Sequence, residues 1–298
     1  MSTILKARII DWLTLLLLVV LWASAYSLTL IALGNIKPII VVSIRLWIGA
    51  GFLFIICLFL KKHIPSIYDW RAWGSMAATG IVGSLIPFFL ISTAQTAVPS
   101  ALASIYLSAT PLAAALLSRI FIKEDKINIQ SAIGILFGII GIIILFLPNL
   151  RQGNLAQSPI WAQLILVIAA FCYAGALIIV RLTSPKIDAI AISFGFVFCS
   201  AIASSPFALY SNGFDIPHFA LEDILSAILL GLGPTAIASI LYVRLVHKIG
   251  PIMVANFSNL VPIVSIFIGF IAFKEHIPPT AGAALIVILF GVWLVQKR

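Results

Sequence analysis

The sequence predicts an all-α membrane protein of ten transmembrane helices, arranged as two inverted five-helix repeats. Of its 298 residues, 62% are hydrophobic and 9% are charged, whereas a soluble domain carries about 25% charged residues. Ten apolar runs are long enough to cross a bilayer core, which takes roughly 20 helical residues. Their predicted ranges are 12–33, 39–60, 72–94, 99–122, 129–147, 160–182, 189–210, 223–246, 251–273 and 279–296.

A duplicated stretch divides the chain into two units. Pro111 and Pro262 lie at the same place in the stretches 99–124 and 250–275, which both end in Lys-Glu and align at a spacing of 151 residues without a gap. Such self-similarity indicates a repeat architecture, and we predict the units 1–150 and 151–298. Because each unit has an odd number of spans, the second enters the membrane upside down. Inverted repeats of this kind are typical of secondary transporters.

The basic residues predict which side of the membrane each end occupies. If the N-terminus is cytoplasmic, most of the 18 Lys and Arg residues lie on the cytoplasmic side, as the positive-inside rule requires. The residues on the other side are Lys37, Arg45, Arg151 and Lys274. We therefore expect both termini to be cytoplasmic in a multi-pass cytoplasmic (inner) membrane protein.

The first apolar run has an alternative interpretation as a signal peptide. Lys6 and Arg8 precede it, and residues 23–25 read Ala-Ser-Ala, which resembles a cleavage site. The run continues to Leu33, however, and is long enough to span, so we interpret it as a membrane helix.

Prolines interrupt the third and fourth predicted spans of each unit, and we predict helix breaks with a gating role there. Pro111 and Pro262 each remove a backbone donor in the fourth span of their unit, while Pro87 and Pro234 interrupt the third spans at positions that are not equivalent. A packing kink is the alternative. Breaks in corresponding helices of both halves favour the binding region, because freed backbone groups need protein or a watery cavity around them.

Polar side chains beside these breaks are candidate substrate ligands. Ser104 and Ser108 share one helix face, as do Asn256 and Asn259, and Asn259 is the repeat equivalent of Ser108. Hydrogen bonds between helices, worth roughly 0.6 kcal/mol each, are the alternative role, and for the asparagines both roles stay open.

Aromatic residues away from the membrane surface are further candidates. Trp22 and Tyr26 lie four residues apart near midspan, where the interfacial aromatic belt does not reach. Tyr106 and Tyr173 join them as predicted lining of the binding region. Core packing with a locally paired hydroxyl is the alternative, and we favour it for Tyr242.

Arg45 is the one clear charge well inside a predicted span. It either serves a structural role, with its stem reaching toward the surface, or anchors a substrate carboxylate; the sequence favours the structural role. No Asp or Glu occupies a midspan position, so a carboxylate proton relay has no candidate. We expect passive uniport or exchange.

The two units resemble the drug/metabolite transporter superfamily, EamA type. Each has a Pro-x11-Lys-Glu helix followed by a Gly-rich last helix, beginning at Gly134 and Gly282, and the segments around Trp22 and Arg45 also match that family's pattern. The resemblance covers nearly the whole chain and implies an exporter or exchanger of small polar metabolites, such as amino acids, without ATP. The second unit departs from this pattern because it has Phe196 at the position equivalent to Arg45.

Other classes have less support in the sequence. A channel or facilitator would show a filter or charged ring, and an intramembrane enzyme would need a nucleophile, carboxylate pair or metal ligands within the spans. We predict no cofactor, no bound metal and no nucleic-acid partner. The expected partners are a small-molecule substrate and the lipid bilayer, with the protein as a monomer or possible homodimer, because the glycines at 134 and 138 could pack in either way.

The topology predicts the outcome of reporter fusions. Fusions placed after Lys62, Lys126, Lys186 and Lys248 should all report a cytoplasmic location, because each position follows a span that returns to the basic side. A periplasmic result at two of these positions would contradict the ten-helix arrangement.

Overall fold

A computed structural model describes residues 3–121, 129–152, 158–183, 187–212, 220–249, 254 and 257–296. Within these ranges the chain is helical and contains no β-strand. Among the described residues, nine helical stretches are apolar and long enough to cross a membrane, and a tenth, shorter apolar helix covers Val261–Phe273. The predicted all-α membrane fold is therefore confirmed.

The helices follow the predicted spans closely. In the first half they are α1 (Thr3–Ala32), α2 (Pro38–Phe59), α3 (Trp70–Gly80), α4 (Ile86–Gln95), α5 (Ser100–Leu107), α6 (Thr110–Phe121) and α7 (Ile129–Gln152). In the second half they are α8 (Ile160–Thr183), α9 (Ala189–Asn212), α10 (Leu221–Leu230), α11 (Ala238–Ile249), α12 (Val261–Phe273) and α13 (Pro279–Gln296).

The fourth span of the first half is broken just before Pro111. Helix α5 ends at Leu107, a turn follows at Ser108–Ala109, and α6 begins at Thr110. In the second half a turn at Asn259–Leu260 precedes α12, 151 residues later. The proline-containing spans are thus interrupted at equivalent positions in both halves.

Two π-helical segments interrupt the third spans. The first π segment, Ile81–Leu85, joins α3 to α4, and the second, Gly231–Ile237, joins α10 to α11. A shift of 151 residues places the first within the second, although Pro87 follows its segment and Pro234 lies inside its own. The prolines do not occupy equivalent positions, but the π segments do. A π turn extends over several residues and therefore tolerates a missing backbone N–H donor at more than one of them.

Helices of one half pack mainly against helices of the other. Helix α7 packs along α13, and α2 packs along α9. Helix α1 lies against α12, and its counterpart α8 lies against α6, the counterpart of α12. Exchanging the two halves therefore maps these contacts onto one another.

Contacts of two equivalent glycines show the same symmetry between the halves. A Cβ atom added to Gly80 would lie 2.1 Å from the carbonyl oxygen of Phe196, and one added to Gly231 would lie 2.8 Å from the carbonyl oxygen of Arg45. Gly80 and Gly231 are 151 residues apart, as are Arg45 and Phe196. At both sites a third span approaches a second span backbone to backbone, next to a π segment.

The glycine-rich last helices pack on each other within one chain. A Cβ atom added to Gly134 or to Gly291 would lie 2.5 Å from the other residue's carbonyl oxygen. A Cβ atom on Gly138 would meet the Leu112 side chain at 2.1 Å. This small-residue face is thus covered inside the monomer.

One helix extends beyond its predicted range. The fifth apolar run was predicted over 129–147, and α7 continues through Pro148 to Gln152. Hydropathy marks where the chain leaves the hydrocarbon and does not mark where the helix ends, so α7 extends beyond its apolar run.

Replacing Gly80 by Ala tests the close approach of the third and seventh spans. The added methyl group would collide with the Phe196 backbone, and overpacking of this kind costs about 1–3 kcal/mol. Gly51→Ala is the matched control, since nothing lies within 4 Å of an added Cβ there. Thermal unfolding of the purified proteins should show a lower midpoint for Gly80→Ala alone; equal midpoints would contradict this packing.

Candidate functional site

Arg45 lies in the interior of the structure, where the second, third and eighth spans meet. Its side chain is 7% exposed. Its Nε donates a hydrogen bond of 2.7 Å to Thr235 Oγ1, in the second π segment, and its guanidinium carbon lies 3.6 Å from the centre of the Phe88 ring. The cation is therefore held by one hydrogen bond and by the face of an aromatic ring.

Thr235 follows the helix break at Pro234. Because proline has no N–H group, Pro234 cannot donate to the Leu230 carbonyl, and the π turn pairs that carbonyl with the Thr235 N–H instead. Thr235 Oγ1 also donates to the Leu230 carbonyl, at 2.8 Å, and at the same time accepts from Arg45. One hydroxyl thus joins the helix break to the buried cation.

Two tyrosines complete the surroundings of the guanidinium. Tyr26 of α1 and Tyr173 of α8 are close enough to Arg45 to interact with it electrostatically. Within the part of the chain that the structure describes, Nε is the only Arg45 nitrogen that donates a hydrogen bond. We name the Arg45 cluster as the set Tyr26, Arg45, Phe88, Tyr173 and Thr235.

Trp22 and Tyr26 extend the cluster along α1. The Trp22 ring packs on Tyr242 with ring centres 5.6 Å apart, which agrees with a packing role for Tyr242. Gln95 Nε2 donates to the Tyr26 carbonyl at 2.8 Å, while Gln95 Oε1 is buried with no partner among the described residues. Tyr26 therefore lies near the cation and is hydrogen-bonded to a glutamine whose Oε1 is unpaired.

The hydroxyls of the predicted serines donate hydrogen bonds to carbonyl groups of their own span. Ser104 Oγ donates to the Ala101 carbonyl and Ser108 Oγ to the Ile105 carbonyl, each at 2.6 Å. Thr110 Oγ1 donates at 2.7 Å to the Leu107 carbonyl, which Pro111 leaves free. These hydroxyls close the break from within, and the structure does not place them in the Arg45 cluster.

Tyr106 is a core residue with an occupied hydroxyl. It is fully buried, and its hydroxyl donates to Gln163 Oε1 at 2.7 Å. Gln163 Nε2 in turn donates to the Ser158 carbonyl at 2.9 Å. The geometry matches the packing role that the sequence left open.

The structure describes one of the two predicted asparagines. Asn259 Nδ2 lies 3.3 Å from Gln296 Oε1 near the end of α13, which is a contact between the ninth and tenth spans. Asn256 lies outside the described residues. The structure therefore does not bring Asn259 to the Arg45 cluster.

Thr235 and Phe88 were not identified from the sequence. Each directly follows a proline of a third span, Pro234 and Pro87 respectively. That position is a usable signal, because a side chain placed immediately after a helix break can reach groups that the break leaves unpaired. Arg45 itself was recognised, but only with a structural role preferred.

Among the residues that the structure describes, two ion pairs join the halves at one end of the helices. Lys62 Nζ lies 2.7 Å from Asp188 Oδ2, and Lys248 Nζ lies 2.5 Å from Asp11 Oδ1. Burial acts to raise the pKa of the Asp188 carboxyl, but hydrogen bonds from Lys62 and from the Ile190 N–H outweigh it and leave that pKa below its usual value. The pair therefore stabilises the fold at neutral pH, and this contribution is lost as the pH falls through the lowered pKa.

A carboxylate joins the halves at the opposite end. Glu275, just after α12, accepts hydrogen bonds from the N–H groups of Ser100 and Ala101 at 2.9 and 3.0 Å. A carboxylate is the favoured partner for these orphan donors at a helix N-terminus. Glu275, from the repeated Lys-Glu of the second half, thus caps the broken helix of the first half.

Comparisons with known proteins agree along the whole chain. The EamA-like transporter family matches residues 10–147 and again residues 160–296. The uncharacterized inner membrane transporter YedA of Escherichia coli (strain K12) is 26% identical over 288 residues, which cover 93% of this chain and 88% of that protein. An uncharacterized transporter of Archaeoglobus fulgidus is 22% identical over 96% of this chain and 99% of its own. The uncharacterized transporter YoaV of Bacillus subtilis is 20% identical over 92% of each chain.

The fold has also been seen in a solved crystal structure. That chain shares 19% sequence identity and superposes with a TM-score of 0.65 over 96% of both chains. At this identity the likeness concerns the fold alone.

Replacing Thr235 by Val tests the hydroxyl that joins the helix break to Arg45. Valine keeps the shape but removes the acceptor for Arg45 Nε and leaves that buried N–H unpaired, and a buried unsatisfied group costs about 1–3 kcal/mol. Unfolding of the purified protein should show this loss for Thr235→Val. Thr235→Ser retains the hydroxyl and should keep most of the stability. A Val variant as stable as the wild type would show that the hydrogen bond from Arg45 to the Thr235 hydroxyl does not contribute.

Proposed function

The chain belongs to the EamA-like transporter family, within the drug/metabolite transporter superfamily, and on that premise we propose that it carries small polar metabolites with a carboxylate group, such as amino acids, by alternating access. The family predicted from the sequence is confirmed. As a member of that family the protein is a multi-pass membrane transporter and not an enzyme. Its transport is that of an exporter or exchanger, with flux driven by the substrate's own gradient.

The observation that carries this proposal is the incompletely paired cation at Arg45. A buried charge is costly unless it is paired and hydrogen-bonded, yet only Nε of this guanidinium has a hydrogen-bond partner among the described residues. The remaining N–H groups form the planar fork that matches a carboxylate with two parallel hydrogen bonds. A bound carboxylate would supply the missing countercharge.

The neighbours of Arg45 would orient such a substrate. Phe88 covers one face of the guanidinium, so a carboxylate approaches in the plane of the fork and not above it. The hydroxyls of Tyr26 and Tyr173 offer donors or acceptors to the rest of a polar molecule. Trp22, beside Tyr26, provides an apolar wall, and the prolines at positions 87, 111, 234 and 262 mark the breaks around which the spans would move.

Alternating access is supported by the relation between the two halves. The fourth-span breaks, the π segments and the glycine contacts recur at a spacing of 151 residues, and the family matches once in each half. We infer that 1–150 and 151–298 are inverted repeats. In that arrangement exchanging their conformations opens the opposite side of the membrane.

The contacts between the halves at the two ends would act as the gates. The pairs Lys62–Asp188 and Lys248–Asp11 close one end, and Glu275 closes the other by capping α5. We place the end with the two lysine pairs in the cytoplasm, together with both termini, in the inner membrane, because the basic residues concentrate there.

Substitution of Arg45 tests the proposed substrate class. Purified protein in liposomes should exchange labelled amino acids in a counterflow assay, and each amino acid should be carried better than its α-amide. Arg45→Gln should lower exchange of the carboxylate compounds by at least about tenfold, because a hydrogen bond to a charged group contributes about 1.5–3 kcal/mol. Arg71→Gln is the matched control, since Arg71 is exposed and lies over Trp70 at the start of α3.

Two outcomes would contradict the proposal. Equal transport of acids and amides by the wild-type protein would show that no carboxylate is recognised. Flux without saturable counterflow would indicate a facilitator or channel. The unfolding midpoint of Arg45→Gln should accompany the assay, so that lost exchange is scored only in folded protein.

A further inference from the structure

A basic cavity lies at the end of the helices that carries the two lysine ion pairs. Its volume is about 820 Å³, and its lining includes Lys62, Asp188, Arg244 and Lys248. Lys62 and Lys248 are each paired with an aspartate. Arg244 is exposed; among the described residues it forms no salt bridge or hydrogen bond, although Asp188 is near enough for the two charges to attract each other. The cavity therefore presents an excess of positive charge centred on Arg244.

An apolar groove begins at the same arginine. Its volume is about 370 Å³. It runs between α2 and α11, and its lining residues are Phe52, Ile56, Phe59, Leu60, Ile237, Ile240, Leu241 and Arg244. Phe59 is 82% exposed at the rim. The groove and the basic cavity thus share Arg244 and nothing else.

The groove exists because two helices diverge after a close contact. Helix α2 packs against the second π segment, where Gly231 lies against the Arg45 backbone, whereas α11 beyond it packs against α1 and α9. The space between α2 and α11 therefore opens toward the end of the span. Every residue of its wall other than Arg244 is apolar.

The depth of Arg244 matches a lipid headgroup. The apolar stretch of the eighth span runs from Leu221 to Leu245, so Arg244 lies in its last turn, where the hydrocarbon meets the polar surface. Lys62 follows the second span, which ends at Phe59. The positive charges thus lie at the interface and the apolar groove lies within the hydrocarbon depth.

We propose that this cavity and groove form a binding site for an anionic phospholipid. The phosphate and headgroup contact Arg244, with Lys62 and Lys248 beside it, and one acyl chain follows the groove along α2 and α11. Charge complementarity selects the anionic headgroup, since cationic side chains near the membrane surface attract anionic lipids. The apolar groove selects a lipid over a free anion. The site is separate from the Arg45 cluster and does not depend on the substrate proposed above.

Native mass spectrometry of the purified full-length protein tests the site. In an equimolar mixture of phosphatidylglycerol and phosphatidylcholine with identical acyl chains, we expect phosphatidylglycerol adducts to predominate. Arg244→Gln should weaken phosphatidylglycerol binding by about fivefold, the effect of one cation near the membrane surface, and Arg244→Lys should restore most of it. Arg71→Gln removes an equal charge outside both cavities and should leave the preference unchanged.

A second variant separates the groove from the charge. Phe59→Gln keeps Arg244 but makes the exposed rim of the groove polar, and it should also weaken phosphatidylglycerol binding. Equal binding of the two lipids, an unchanged preference in Arg244→Gln, or displacement of the lipid by millimolar inorganic phosphate would overturn the proposal. The last result would assign the cavity to free anions instead.

Discussion

The structure depends on one constraint, that a polar backbone group inside a membrane must find its partner within the protein. Pro234 cannot donate to the Leu230 carbonyl as an α-helical residue would, and the π turn brings the Thr235 N–H to that carbonyl instead. The Thr235 hydroxyl donates to the same carbonyl and accepts a hydrogen bond from Arg45. The helix break thus positions the hydroxyl that holds the buried cation.

The first half meets the same constraint in another way at its fourth-span break. There, Thr110 donates to the Leu107 carbonyl that Pro111 leaves free, and Ser108 donates to the Ile105 carbonyl, so these hydroxyls bond within their own span. Beside Pro234, in a third span, the Thr235 hydroxyl also accepts from a cation of a neighbouring span. The halves differ in that cation because Phe196 stands at the position equivalent to Arg45.

Close backbone contact between the halves places these groups together. Gly80 and Gly231 bring the third and eighth spans against the Phe196 and Arg45 backbones, which sets the position of the Arg45 side chain relative to the second π segment. Beyond that contact α2 and α11 separate and leave the groove that ends at Arg244. One close approach therefore determines both the interior polar cluster and the exposed apolar groove.

The sequence by itself determined the membrane class, the helices and the 151-residue spacing. Hydropathy, charge and proline position are properties of short stretches of chain, so they can be read without knowing how the helices pack. It also identified Trp22, Tyr26, Tyr173 and Arg45 as unusual for their depth. Only the tertiary structure decided that Tyr106 is bonded to Gln163, that Ser104 bonds its own helix, and that Thr235 and Phe88 hold Arg45. Residues 45 and 235 are 190 positions apart, and hydrogen bonding between distant spans depends on how the halves pack, which no local pattern records.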